Sequence, residues 1–123
     1  MELTGDLNFL SELIKIDQES FDEYNLNISE ISFAKDERYD DDLHIYFKVE
    51  VVNGANLANG VFIIIVFYSE ADKIVMIRSK SIEKEEFHKF DIIDEVISFK
   101  SYKRMIQFCN TTKKILIYVR KLV

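Results

Sequence analysis

Three side chains in this sequence have the chemistry for nucleophilic or acid–base work near neutral pH: Cys109, His44 and His88. A Cys–His pair needs the thiol within hydrogen-bond reach of an imidazole whose other nitrogen is oriented by a third group. His44 lies on the polar parity of a strand-like run, whereas Cys109 sits in an apolar stripe of helical spacing, so the two are expected on different surfaces. Cys109 reads as a small buried hydrophobe, and His44 and His88 read as surface residues, His44 on the face or edge of its strand. One cysteine and two separated histidines do not make a structural zinc set. Asp36, Glu37, Asp40, Asp41 and Asp42 gather hard oxygen ligands in one loop, but the spacing and glycine of a calcium-binding EF-hand are missing. That loop reads as solvated and self-repelling. Glu83, Glu85, Glu86, Asp91, Asp94 and Glu95 also cluster, with nothing to separate a buried acid from an ionised one, and read as a charged, solvated face. Gly5, Gly54 and Gly60 form neither a phosphate-binding loop nor a dinucleotide fingerprint. No cofactor and no metal site is expected.

Recognition is the better use for these residues. Tyrosine offers a large contact area at low rotamer cost, and Tyr39, Tyr46, Tyr68 and Tyr118 include positions on polar strand faces. The expected interaction residues are Tyr39, Asp40, Asp41, Asp42, His44, Tyr46 and Tyr118. The alternative for Tyr46 and Tyr118 is packing beneath an N-terminal helix or a second sheet. The 123 residues carry a formal charge of -6 from 22 acidic and 16 basic side chains. That balance repels phosphate backbones at long range, so nucleic acid is not an expected partner. Lys100, Lys103, Arg104, Lys113, Lys114, Arg120 and Lys121 still leave room for a local basic face.

The elements that position these groups follow from periodicity. Leu7, Leu10, Leu13 and Ile14 recur at three and four, which predicts a short helix within Leu7–Ile16, with Asp6 as its cap. Leu26 and Ile28 alternate on one parity and Ile31 and Phe33 on the other, the mark of a bulge near Ser29 or Glu30. Lys35 to Asp42 then reads as a hairpin connection. In "LHIYFKVEVV", Leu43, Ile45, Phe47, Val49 and Val51 face one way and His44, Tyr46, Lys48 and Glu50 the other. Asn53 to Gly60 holds two Asn-Gly pairs and reads as a loop. "VFIIIVFY" is apolar on both parities, which predicts a central strand covered on both faces by the helix, a second chain or a partner. A turn at Asp72 and Lys73 leads into "IVMIRSKS", and these three strands are expected to form a meander. "DIIDEVISF" fits a helix or a bulged strand. "YKRMIQFC" has helical spacing, with Tyr102, Met105, Ile106 and Cys109 on one face, and "KKILIYVRKLV" alternates as a strand.

The succession "LHIYFKVEVVN", "VFIIIVFYSEADKIV", "FHKFDIIDEVISF" and "KKILIYVRK" resembles bacterial immunoglobulin-like accessory domains over about Asn25 to Lys121, although Ala71 and Asp72 stand where those domains carry a glycine-bearing turn. The resemblance implies a sandwich rather than a barrel and carries over no functional residue. The expected fold is therefore mainly β: an antiparallel β-sandwich, immunoglobulin-like or similar, with a short N-terminal helix and a second short helix. Residues 1–123 are read as one domain, with 1–22 a helical segment packing on the sheet and 25–121 the sandwich body. The longest apolar run, Val61 to Tyr68, is too short to cross a bilayer as a helix. A lone cysteine and the lack of a secretory signal in the chain as given point to the cytoplasm, or outside it if a signal peptide has been removed.

The expected function is a non-enzymatic protein–protein interaction module, such as an acidic immunity, inhibitor or accessory protein that binds a basic partner or self-associates. Two other classes compete with it. One is a small hydrolase or ligand-binding protein with a site assembled from separate strands. The other is a calcium-assisted surface or carbohydrate-binding domain.

Overall fold

A computed structural model of the chain describes residues 7–36, 38, 41–52, 57, 59–84, 87 and 90–121. Among these residues, seven strands divide between two sheets, and two short α-helices join them. The strands are β1 (Ile14–Ile16), β2 (Leu26–Lys35), β3 (Asp42–Val51), β4 (Val61–Tyr68), β5 (Ile74–Ile82), β6 (Phe90–Ser98) and β7 (Lys114–Lys121). The helices are α1 (Gln18–Glu23) and α2 (Tyr102–Thr111). The first sheet has the order β2-β3-β6 and is wholly antiparallel. The second has the order β1-β7-β4-β5, with β1 parallel to β7 and the other pairs antiparallel.

The strongest alternation gives the strand that anchors the first sheet. Leu43, Ile45, Phe47, Val49 and Val51 of β3 are all buried, while His44, Tyr46, Lys48 and Glu50 lie half-buried on the outer face. In the second sheet, Val61, Ile63, Ile65 and Phe67 of β4 and Ile115, Ile117 and Val119 of β7 point inward. Side chains of both sheets belong to one hydrophobic cluster. Sealing a Phe or Ile there contributes roughly 1.5–3 kcal/mol relative to leaving it in water. Both helices add to this cluster, α1 through Phe21 and α2 through Met105 and Cys109. Asp17 caps α1 by accepting from the Ser20 amide, and Ser101 caps α2 by accepting from the Arg104 amide.

The bulge in β2 lies where the change of parity places it. The pairing of β2 with β3 shifts between Ser29 and Ser32, and Glu30 sits in the left-handed region at φ 55°. The α2 stripe also has the expected face, with Met105 and Cys109 buried and Tyr102 and Ile106 half-buried against the core. The open choice for "DIIDEVISF" resolves as strand β6.

Three expectations are corrected. Leu7–Ile16 is not one helix: a 3-10 helix spans Asn8–Leu13 and the chain then extends into β1. Leu7 and Leu10 are buried all the same, because a 3-10 turn also brings residues three apart to one side. Asp6, the expected cap, lies outside the described residues. The meander also fails, since β3 pairs with β2 and β6 in one sheet while β4 and β5 form a hairpin in the other. The connection after Val51 crosses between sheets instead of turning back along one. Finally, the segment 1–22, read as helical, contributes a strand: β1 pairs in parallel with β7, while all pairs within 25–121 are antiparallel.

Candidate functional site

The outer face of the first sheet gathers the most chemistry. Cross-strand register places His44 opposite Ala34 and Val96, and Tyr46 opposite Ser32 and Asp94. His44 is therefore on the middle strand, not at an edge. Its Nδ1 lies 2.9 and 3.1 Å from the two carboxylate oxygens of Asp94, and its Nε2 lies 3.0 Å from Asp36 Oδ2. Asp36 follows β2 in the hairpin connection and also accepts from the Arg38 backbone N–H at 2.7 Å. The Tyr46 ring stacks on the imidazole with centroids 5.6 Å apart and planes 11° from parallel.

A neutral imidazole has one N–H, so only one carboxylate could then receive a hydrogen bond. The imidazolium donates to both. Burial pulls the His44 pKa down, but the hydrogen bonds to Asp94 and Asp36 and their negative charges outweigh it and raise it above the ordinary histidine value. Burial, reinforced by the same two aspartates, raises the Tyr46 pKa, so its phenol stays protonated near neutral pH. The arrangement sets an imidazole between two carboxylates and against an aromatic ring, and it is the protonated ring that satisfies both acceptors.

The expected interaction residues do not form one group. Asp42, His44 and Tyr46 share this outer face, with Asp41 at its end, where the Asp41 carbonyl accepts from the Phe99 amide at 2.9 Å. Tyr39 and Asp40 lie outside the described residues, as does His88. Tyr118 stands on the outer face of the other sheet, opposite Ile64. Tyr46 and Tyr118 are both half-buried on the outer parity of their strands. Cys109 is fully buried, and burial pushes its thiol up to about 11, so it supplies no thiolate near neutral pH. It lies in the core while His44 faces outward, and they make no Cys–His pair.

Reading the carboxylates after Ile82 as a uniformly solvated face missed one of them. Glu95 sits on the inward parity of β6 between Ile93 and Ile97 and is 9% exposed. Arg78 of β5 reaches it across the open side of the two sheets, with Nη2 donating at 2.7 Å and Nε at 3.2 Å to Oε1. The same Nη2 donates to the Val96 carbonyl at 3.0 Å. The period-two pattern Ile93, Glu95, Ile97 was the available signal, hidden because the segment also fits a helix.

Charge is divided between the sheets. Strands of the first sheet contain six acidic residues, Glu30, Asp42, Glu50, Asp91, Asp94 and Glu95, against Lys35 and Lys48. Strands of the second contain Lys15, Arg78, Lys80, Lys114, Arg120 and Lys121 and no Asp or Glu. Among the described residues, no helix is long and apolar enough to cross a membrane. Comparison of the chain with protein-family models, with curated proteins and with solved structures finds no match.

Proposed function

We propose that this protein is a non-enzymatic interaction module, folded as one domain over residues 1–123 with its two sheets arranged as an antiparallel sandwich of immunoglobulin-like or similar type. The outer face of the first sheet docks a basic protein partner. The observation that carries this reading is the division of charge: the outer face of the first sheet sets Asp42, Asp94 and the neighbouring Asp36 about His44 and Tyr46, with Glu50 further along β3 beyond Lys48. Opposed charge of this kind steers encounter and selects a partner, and the tyrosine adds contact area between the charges. An immunity or inhibitor protein that covers a basic enzyme or toxin is one member of this class.

The test is capture from native cell extract by the immobilised chain at low and high salt, repeated with Asp42→Lys/Glu50→Lys. A basic protein retained at low salt, released by salt and not retained by the variant is the expected result. Retention unaffected by the two charge reversals sinks the reading.

A further inference from the structure

The second sheet turns an apolar outer face to the surface, and the charged side chains its strands place there are cations, with Asp72 of the β4–β5 turn paired to one of them. Phe62, Ile64, Leu116 and Tyr118 are half-buried there, and Ile74 and Ile77 are more than half exposed, at 56% and 57%. Val66 is 4% exposed on that same outward parity, enclosed by its neighbours in the row Leu116–Val66–Ile77. The charged side chains on this face are Lys15, level with Leu116, Lys114 and Arg120. Lys114 lies 2.9 Å from Asp72 of the β4–β5 turn, and Lys15 and Arg120 are exposed. The first sheet's outer face carries three anions, Asp42, Glu50 and Asp94, against Lys48, whose Nζ lies over the Phe90 ring, and Phe90 and Ile92 are exposed along β6 at 55% and 65%.

We propose that the partner seated on the acidic face is a second copy of this chain, which docks through the cationic apolar face of its second sheet. The argument is charge complementarity joined to exposed apolar area on both surfaces. The contact is head-to-tail, because the two surfaces differ, so every bound copy leaves one face of each kind open for the next. Pairing two second-sheet faces would instead bring two mainly cationic faces together, with Asp72 beside Lys114 as the counter-charge. This inference rests on the reading that the first sheet's outer face receives a cationic surface, and takes that surface from a second copy of a chain whose net charge is -6.

Sedimentation velocity over a hundredfold range of protein concentration, in low and high salt, tests it. The wild-type chain is expected to form a mass series beyond the monomer in low salt and to return to monomer in high salt. Lys15→Glu/Arg120→Glu and Asp42→Lys/Glu50→Lys should each stay monomeric alone, with unchanged melting temperature as the check on folding. Mixed in equal amounts, they should stop at a dimer, since the first variant keeps an intact acidic face and the second an intact cationic one. A wild-type monomer at every concentration overturns the proposal without a variant being needed. A dimer that survives all four substitutions overturns it too, and assigns self-association to another surface. If the chain is monomeric yet retains a basic protein that Asp42→Lys/Glu50→Lys loses, self-docking fails while the functional reading stands.

Discussion

His44 has a hydrogen-bond acceptor at each ring nitrogen, and that fixes the sign of its contribution to stability. Its folded-state pKa is raised, so the stabilisation is fully present below the unfolded-state value of about 6.5 and is lost as pH rises through the folded-state value. The melting temperature is therefore expected to fall as pH is raised from about 6 to about 9. His44→Gln should flatten that part of the curve, and Asp94→Asn should lower the His44 midpoint in an NMR titration. A wild-type titration at or below the ordinary value would show that burial outweighs the two carboxylates. Arg78 and Glu95 behave differently, because Glu95 sits among inward-facing apolar residues. Arg78→Ala leaves its carboxylate without its cation and should cost on the order of 1–2 kcal/mol in a denaturant titration, discounted from a fully buried pair because Arg78 is partly exposed. The double variant Arg78→Met/Glu95→Leu should recover most of the loss. Cys109, buried and held protonated, should react with a thiol reagent no faster than the chain opens.

At the scale of elements, the bulge in β2 sets which residues of that strand reach the core. Leu26 and Ile28 precede it and Phe33 follows it on the changed parity, and all three are buried. Glu30 adopts a left-handed conformation there, which costs a residue with a Cβ roughly 1–2 kcal/mol. Glu30→Gly should therefore be neutral or stabilising by up to about 1 kcal/mol, and Glu30→Val should destabilise by at least that much, as measured by chemical denaturation. This element was legible because a change of parity inside an alternating run has few other causes. β3, β7 and α2 were legible for a related reason: one face of each meets the core, and the period shows directly in Leu43 to Val51, Ile115 to Val119, and Met105 with Cys109. β6 was ambiguous because Ile92, Ile93, Val96 and Ile97 satisfy helical spacing, while the exposed Ile92 and buried Glu95 blur the strand pattern. The His44 cluster could not be read from local spacing, since the pairing of β3 with β6 brings Asp94 to a histidine fifty residues earlier. Nor does periodicity say which sheet a strand joins: β3 and β7 alternate alike but lie in different sheets.

Across the whole molecule, the chain closes on itself. β1 lies parallel to β7 through Ile14–Ile115, Lys15–Leu116 and Ile16–Ile117, and the Asp17 amide donates to the Ile117 carbonyl at 2.9 Å. The Val119 amide donates to Ser20 Oγ at 3.0 Å, across 99 residues of sequence. Such contacts give little local return for the closure entropy they require, so they are expected to form after the β2–β3 and β4–β5 hairpins. Ile16→Ala removes a half-buried side chain at this junction and should cost about 1–2 kcal/mol. If closure comes late, nearly all of that cost appears as faster unfolding, with the folding rate almost unchanged. By contrast Ile45→Ala, deep in the β2–β3 hairpin, should slow folding measurably. Stopped-flow chevrons of the two variants decide the order: a folding arm depressed by Ile16→Ala as strongly as by Ile45→Ala would place the closure of the two ends within the nucleus.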